Sequence, residues 1–162
     1  MRALRYAALL SLATWAGGLV MLGAIAAPAA FDVTASRGVV EGRAVAGAIV
    51  GEALGRFHRV TYICAAILLL SLMARRILGP RPHRAGIRIL VACLMLAATI
   101  YSGVAVSRRM TSLQQQIGAA PSSLPADDAR RLEFNRLHAT SNILQLVPLL
   151  GAMALMWFEL RD

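Results

Sequence analysis

The chain has 162 residues, 58% of them apolar, and a formal net charge of +9, which is too apolar a composition for an ordinary soluble domain. All 17 basic residues are arginine. They are not interleaved with aromatic residues as in a nucleic-acid-binding surface, so we expect no nucleic-acid partner. The apolar stretches leave no room for a second folded unit, and we predict a single transmembrane domain over residues 1–162.

Four apolar stretches divide the chain, and we place the membrane spans at about residues 6–27, 57–77, 87–107 and 137–158. A helix needs roughly 20 residues to cross the hydrocarbon core of a bilayer. Backbone groups inside a bilayer are satisfied only in helices or closed barrels, and these stretches lack the alternating pattern of barrel strands. The sequence therefore predicts an all-α, integral membrane four-helix bundle, which is a multi-pass membrane protein.

Three glycines precede the second span at intervals of four residues. Gly47, Gly51 and Gly55 would share one face of a helix, and small residues at this spacing let membrane helices approach closely. The same face continues to His58. We therefore predict close helix packing at the three glycines and a histidine that points into the bundle near the outer membrane surface.

The connection between the second and third spans is strongly basic. It carries five arginines and no acid from Arg75 to Arg88, and Pro80 and Pro82 predict a tight non-helical turn there. Because arginine accumulates on the cytoplasmic side of membrane proteins, we expect this loop and both chain termini in the cytoplasm. The loop is also predicted to contact anionic lipid headgroups.

The connection between the third and fourth spans contains a helix break. Residues 118–128 include Pro121, two serines and Pro125, a composition typical of a loop. Charged residues then surround Leu132 and Leu137, and we predict a short interfacial helix at about residues 127–136. This helix would lead into the fourth span.

The start of the fourth span carries a row of polar residues. Asn135, His138, Ser141, Asn142 and Gln145 recur at steps of three and four residues or adjacent to them, which places them near one face of a helix. Such a row is typical of interhelical hydrogen bonding in membranes. It is also typical of a functional site facing the bundle interior, and the sequence alone leaves both interpretations open.

Two histidines and several arginines are expected at the same membrane depth. They predict a polar pocket on the outer side, with these candidate ligand-binding residues: Trp15, His58, Arg59, Arg109, His138, Ser141, Asn142 and Gln145. Two histidines from different helices also suit haem b or a metal ion. The alternative hypothesis is therefore a haem- or metal-binding, redox-linked membrane protein with His58 and His138 as ligands.

Several segments together resemble a known family. They are Trp15-Ala-Gly17-Gly18, Ala27-Pro28-Ala-Ala-Phe31 and Phe134-Asn-Arg136-Leu137-His138-Ala-Thr-Ser141. This pattern is similar to the transmembrane-protein-205-like family, whose members have four helices and no agreed activity. The chain departs from it at Gln145, where an asparagine is common, and at Ser107 or Arg108, where a proline is common. A distant similarity of that family to copper-resistance-type and haem-related proteins favours the haem or metal alternative.

The leading functional hypothesis is a non-enzymatic protein that binds a small ligand or a partner in the outer pocket. Ser141 and His138 form no catalytic pair, because no carboxylate near them in the sequence would orient the histidine. A transporter subunit is a further alternative, although we see no inverted repeat and expect no buried acid within a span. Composition and the resemblance indicate a bacterial inner (plasma) membrane, and a homo-oligomer remains an open alternative.

Overall fold

A computed structural model describes residues 2–79 and 84–161. These residues form four long helices, which we name α1 (Arg2–Ser36), α2 (Gly42–Leu78), α3 (Ala85–Ile117) and α4 (Ala129–Arg161). All four are long and apolar enough to cross a membrane, and the described residues contain no β-strand. The prediction of an all-α four-helix membrane bundle is confirmed.

The helices extend beyond the predicted spans. α2 begins at Gly42, so the predicted second span is the C-terminal part of a longer helix. Residues of the predicted interfacial helix form the first turns of α4 from Ala129 onward, with no break before the span. The helix break at residues 118–128 agrees with the structure, since α3 ends at Ile117. Gly118 terminates α3 in a left-handed conformation at a φ of 69°, which glycine adopts without strain. The predicted turn at Pro80 and Pro82 lies outside the described residues.

The four helices form a ring in chain order. Each helix packs against its neighbours in sequence, and α4 closes the ring on α1, which is the up-down-up-down arrangement of a simple bundle. The interior between them is filled by large side chains that are at most 2% exposed: Leu12, Leu68, Met95 and Leu155. Alanines beside them allow the helix backbones to approach, as at Ala65 and Ala152.

The perimeter of the bundle is apolar. Leu70, Leu94, Leu150 and Met153 lie on the outside, and each is more than half exposed. A soluble bundle would carry polar residues at such positions. The exposed apolar surface is therefore the surface that meets lipid.

Two short π-helical segments interrupt the regular helices. Met21–Ala26 lies within α1, and Tyr101–Val106 lies within α3. π-Helical turns widen the helix locally and occur frequently beside functional sites. The segment in α3 places Ser102 in the bundle interior, where it is 1% exposed.

The predicted glycine packing is wrong at two of its three positions. A Cβ atom built at Gly51 or Gly55 would have no neighbour within 4 Å among the described residues, apart from the adjacent residues and the backbone of its own helix. A Cβ atom built at Gly47 would lie 3.8 Å from Gln114. The helix turns Gly51 and Gly55 toward the outside, where both are exposed. Close approaches occur instead at glycines of the other helices, including Gly103 and Gly151.

The first turn of α4 is capped by an aspartate. Asp128 Oδ1 accepts a hydrogen bond from the backbone N–H of Arg130 at 2.8 Å, and the Arg130 guanidinium donates to the same carboxylate. The Arg130 side chain is the main reason that the pKa of Asp128 falls to about 2. The stabilisation from this cap is thus present above the ordinary pKa of about 3.8 and is lost as the pH falls through about 2.

We predict that D128A increases amide hydrogen exchange in the first turn of α4, because the helix loses its N-terminal cap. D127A is the matched control and should leave exchange unchanged. In the wild type, the protection factors of this turn should stay constant from neutral pH to about pH 4 and fall toward pH 2. Equal exchange in both variants would contradict the capping role.

Candidate functional site

A small cavity lies inside the bundle, in the half that contains the start of the predicted second span. All four helices contribute to its wall, which consists of Trp15, Leu19, Phe57, His58, Thr61, Thr99, Ser102, Leu144, Gln145 and Pro148. Its volume is about 10 Å³, roughly the space that one buried water molecule needs and far below the roughly 300–1,000 Å³ of sites for drug-sized ligands. In this conformation the cavity therefore has room for about one water molecule, and a larger ligand requires the wall to open.

Most polar groups of the wall already have partners within the protein. The hydroxyl of Thr61 donates to the His58 carbonyl oxygen at 2.8 Å, and that of Thr99 donates to the Met95 carbonyl oxygen at 2.9 Å. Gln145 Nε2 donates to Ser141 Oγ at 3.3 Å, and Ser141 Oγ lies 3.5 Å from Ser102 Oγ. The threonines have used their protons, so each presents an oxygen that accepts hydrogen bonds.

Trp15 is the exception in this wall. Its side chain is completely buried, and its indole Nε1 has no hydrogen-bond partner among the residues that the structure describes. The indole nitrogen can only donate a hydrogen bond, and a buried donor without a partner costs free energy. The wall of the cavity thus contains one hydrogen-bond donor, Trp15 Nε1, whose burial favours a hydrogen-bond acceptor beside it.

His58 is held in place by its neighbours from two helices. Its residue exposure is only 6%, which confirms that it points into the bundle. Its ring stacks on that of Tyr62, with a centroid distance of 6.5 Å. A Cβ at Gly103 would lie 2.8 Å from His58 Nδ1 and 2.9 Å from Tyr62 Oη. The absence of a side chain at Gly103 therefore makes room for the imidazole.

The structure brings together only part of the predicted pocket. Trp15, His58 and Gln145 line the cavity, and Ser141 is connected to it through its contacts with Gln145 and Ser102. The other four predicted residues are exposed: Arg59, Arg109, His138 and Asn142. For those four residues the predicted convergence on one pocket is wrong.

The exposed residues have other surroundings. Arg109 forms an ion pair with Glu133 at 2.7 Å, and His138 stacks on Phe134 with a centroid distance of 6.4 Å. The buried face of α4 runs through Ser141, Pro148 and Ala152. His138 and Asn142 lie to one side of that buried face, and both are therefore exposed.

The residues of the cavity do not suit a haem. His58 lines the cavity but exposed His138 does not, so the two predicted axial ligands do not share one space. A cavity of about 10 Å³ is also far too small for a macrocycle that matches a large drug molecule in size. No group of three or more metal-binding side chains occurs among the described residues.

A second polar cluster lies at the opposite end of the bundle, around Glu159. Arg75 Nη1 donates to both carboxylate oxygens of Glu159 at 2.7 and 2.8 Å, and Arg88 Nη1 donates to Oε1 at 2.9 Å. Arg5 Nε lies 3.8 Å from Oε2, and Arg5 also donates to the Glu159 carbonyl oxygen. Glu159 itself is 1% exposed. One carboxylate therefore connects α4 to all three other helices.

The sequence analysis missed this cluster. The expectation that no buried acid occupies a span did not cover Glu159, which is buried in the last turns of α4, one residue beyond the predicted fourth span. The two arginines that bound the predicted headgroup-binding loop, Arg75 and Arg88, do not face lipid, because both are buried against Glu159. Glu159 continues the spacing of Ala152 and Leu155 on the buried face, and that spacing is the signal that could have revealed it.

The fold and these two clusters define a class, namely a multi-pass, four-helix membrane protein with a polar cavity inside the bundle. Residues 10–119, more than half of the chain, match the family described as Domain of unknown function (DUF4149). The chain belongs to this family. No curated protein and no solved structure matches the chain.

We predict that E159Q destabilises the protein by about 3–5 kcal/mol, because it removes the charge that compensates buried arginines. The control is E52Q, which removes an exposed ion pair with Arg56 and should leave stability unchanged. Unfolding in mixed detergent micelles, followed by circular dichroism, measures both variants. Similar stabilities for the two variants would show that the Glu159 cluster does not hold the helices.

We predict opposite effects of alanine at two glycines. G103A should destabilise the bundle by about 1–3 kcal/mol, because the added methyl group displaces the imidazole of His58. G17A should stabilise it by about 0.5–1 kcal/mol, because Gly17 is exposed with open space at its Cβ position. The stabilities of both variants are measured by the same unfolding experiment. A G103A variant that is more stable than the wild type would contradict the close contact with His58.

Proposed function

We propose that the protein binds a small ligand at the cavity around Trp15 and His58, whose wall opens to admit it, and that the protein does not itself catalyse a reaction. The observation that carries this proposal is the convergence of polar side chains from all four helices on one internal space. Polar groups inside a membrane bundle are expensive and mark functional sites. An apolar wall with a few placed polar groups is also the usual composition of a ligand site.

The chemistry of the wall supports binding rather than catalysis. His58 is the one titratable side chain among the residues that line the cavity. Acid–base or nucleophilic catalysis commonly needs a second group that orients or activates the histidine. A histidine among hydroxyl and amide groups suits hydrogen bonding to a ligand.

The setting of the protein completes the proposal. We place it in a bacterial inner membrane on its composition and on the family resemblance, and we place both termini in the cytoplasm on the distribution of arginine along the sequence. Arg76 and Arg84 are exposed near the Glu159 end and suit anionic lipid headgroups. We also propose the similarity to the transmembrane-protein-205-like family. Its most specific motif covers residues 134–141, which lie outside the residues 10–119 that match the domain of unknown function.

The test compares His58 with His138, since the sequence analysis placed both histidines in the pocket. Wild-type protein and the variants H58A and H138A are purified in mild detergent, and small molecules that co-purify are identified by native mass spectrometry. We expect a bound molecule on the wild type and on H138A, because His138 is exposed and outside the cavity. On H58A its occupancy should fall at least tenfold.

Folding is controlled by the thermal unfolding and the elution volume of each variant. Equal loss of the bound molecule from H58A and H138A, with both variants folded, would contradict a site at the cavity. A wild-type protein that carries no small molecule would contradict the proposed function.

A further inference from the structure

A larger cavity lies in the hairpin that joins α1 to α2. It is an open groove of about 530 Å³, within the roughly 300–1,000 Å³ of small-molecule sites. The first turns of α1 lie beside Glu159, where Arg5 donates to the Glu159 carbonyl oxygen, whereas the groove lies at the other end of α1. The groove is therefore far from the Glu159 cluster and has the size of a ligand site without any opening of its wall.

The backbone of this hairpin is held by its own hydrogen bonds. Val39 N–H donates to the Thr34 carbonyl oxygen at 3.1 Å, and Gly42 N–H donates to the Val39 carbonyl oxygen at 2.9 Å. A Cβ atom built at Gly42 would lie 3.1 Å from the Thr34 carbonyl oxygen, so α2 begins directly against α1 because this residue has no side chain. These contacts fix the shape of the groove.

Two side chains of opposite charge line the groove, Asp32 of α1 and Arg43 of α2. They form no ion pair with each other, and neither forms a hydrogen bond or an ion pair with another residue that the structure describes. Both are exposed, so water solvates them while the groove is empty. Each charge can therefore bind a ligand without first leaving a partner in the protein.

Both charges stand at the helix end that disfavours them. Asp32 lies in the last two turns of α1, near the negative end of the helix dipole, and Arg43 lies in the first turn of α2, at the positive end. Neither position stabilises its own helix. For a ligand, in contrast, each helix end adds to the attraction of the side chain beside it. A cationic group is attracted to the Asp32 side of the groove and an anionic group to the Arg43 side.

The position of the groove along α1 determines which molecules reach it. The 27 residues from Arg5 to Asp32 correspond to about 40 Å of helix at 1.5 Å per residue. The hydrocarbon core of a bilayer is about 30 Å thick. When the Glu159 cluster lies at one boundary of that core, the groove lies beyond the opposite boundary. Dissolved molecules and lipid headgroups both reach this level, and lipid chains do not.

We propose that this groove binds a zwitterion, meaning a molecule or a headgroup with a primary ammonium group and a carboxylate or phosphate group. Asp32 accepts hydrogen bonds from the ammonium group, and Arg43 donates to the anionic group. Phe31 and Val39 also line the groove, and each is 41% exposed, so they cover the carbon atoms of the ligand. This site is separate from the cavity at Trp15 and does not depend on the function proposed there.

The experiment uses two zwitterions and their singly charged analogues. Leucine is compared with 3-methylbutylamine, which lacks the carboxylate, and with 4-methylpentanoate, which lacks the ammonium group. Glycerophosphoethanolamine, a lipid headgroup without its chains, is compared with glycerophosphate and with ethanolamine. Each probe is titrated into the full-length protein in uncharged maltoside micelles, and binding is measured by isothermal titration calorimetry.

We expect saturable binding of at least one zwitterion, with its two singly charged analogues at least tenfold weaker. Binding of leucine alone would support a dissolved ligand, and binding of glycerophosphoethanolamine alone would support a lipid headgroup. Equally strong binding of a singly charged analogue would overturn the proposal, because one charge would then suffice. The absence of saturable binding by both zwitterions would also overturn it.

Four variants locate the site. D32N and R43Q should each weaken binding of the zwitterion at least tenfold. R37Q and E41Q are the matched controls, since Arg37 and Glu41 are exposed on the same hairpin and do not line the groove, and binding should be unchanged. All four variants should unfold as the wild type does, because the four side chains have no partner among the described residues. Equal weakening by R37Q and R43Q would overturn the proposal in favour of a general effect of charge.

Discussion

The bundle depends on one buried carboxylate, that of Glu159. It accepts hydrogen bonds from Arg75 of α2 and Arg88 of α3, and it lies near Arg5 of α1. Removing charges from water is costly, and the cost is recovered only while the partners stay together in good geometry. Arg88 also donates to the Phe158 carbonyl oxygen and lies over the Phe158 ring. The ends of four helices are thus fixed to one another at a single point.

An apolar layer separates this cluster from the cavity. Leu12, Leu68, Met95 and Leu155 fill the interior between the two polar regions and are almost fully buried. Interiors packed in this way leave no room for a chain of water molecules. In this conformation the protein therefore contains two separate polar regions: one holds the helices together, and the other is the cavity at which we propose that a ligand binds. This separation weighs against a continuous path for ions through one bundle.

The membrane fold could be predicted from the sequence, because the length and apolar character of each span are local properties. The inward direction of His58 and the helix break before α4 could also be predicted from the sequence. The spacing along α4 indicates that Glu159 faces the interior, but it does not identify the arginines that pair with it, since the partners are 71 to 154 positions apart in the chain. The polar row contains His138, Ser141, Asn142 and Gln145, yet His138 and Asn142 lie about 60° and 100° around α4 from buried Ser141, and both are exposed. The spacing of Gly51 and Gly55 places them on one face of α2. It does not show whether another helix packs against that face.

The most direct measurement is an experimental structure in a lipid nanodisc, at a resolution that shows individual water molecules and small ligands. The central claim is a bundle that is held together at Glu159 and binds a ligand at Trp15. The expected result is density for a bound molecule larger than water beside Trp15, with arginines from three helices around Glu159. A cavity that holds water alone, or a Glu159 side chain in contact with solvent, would contradict it.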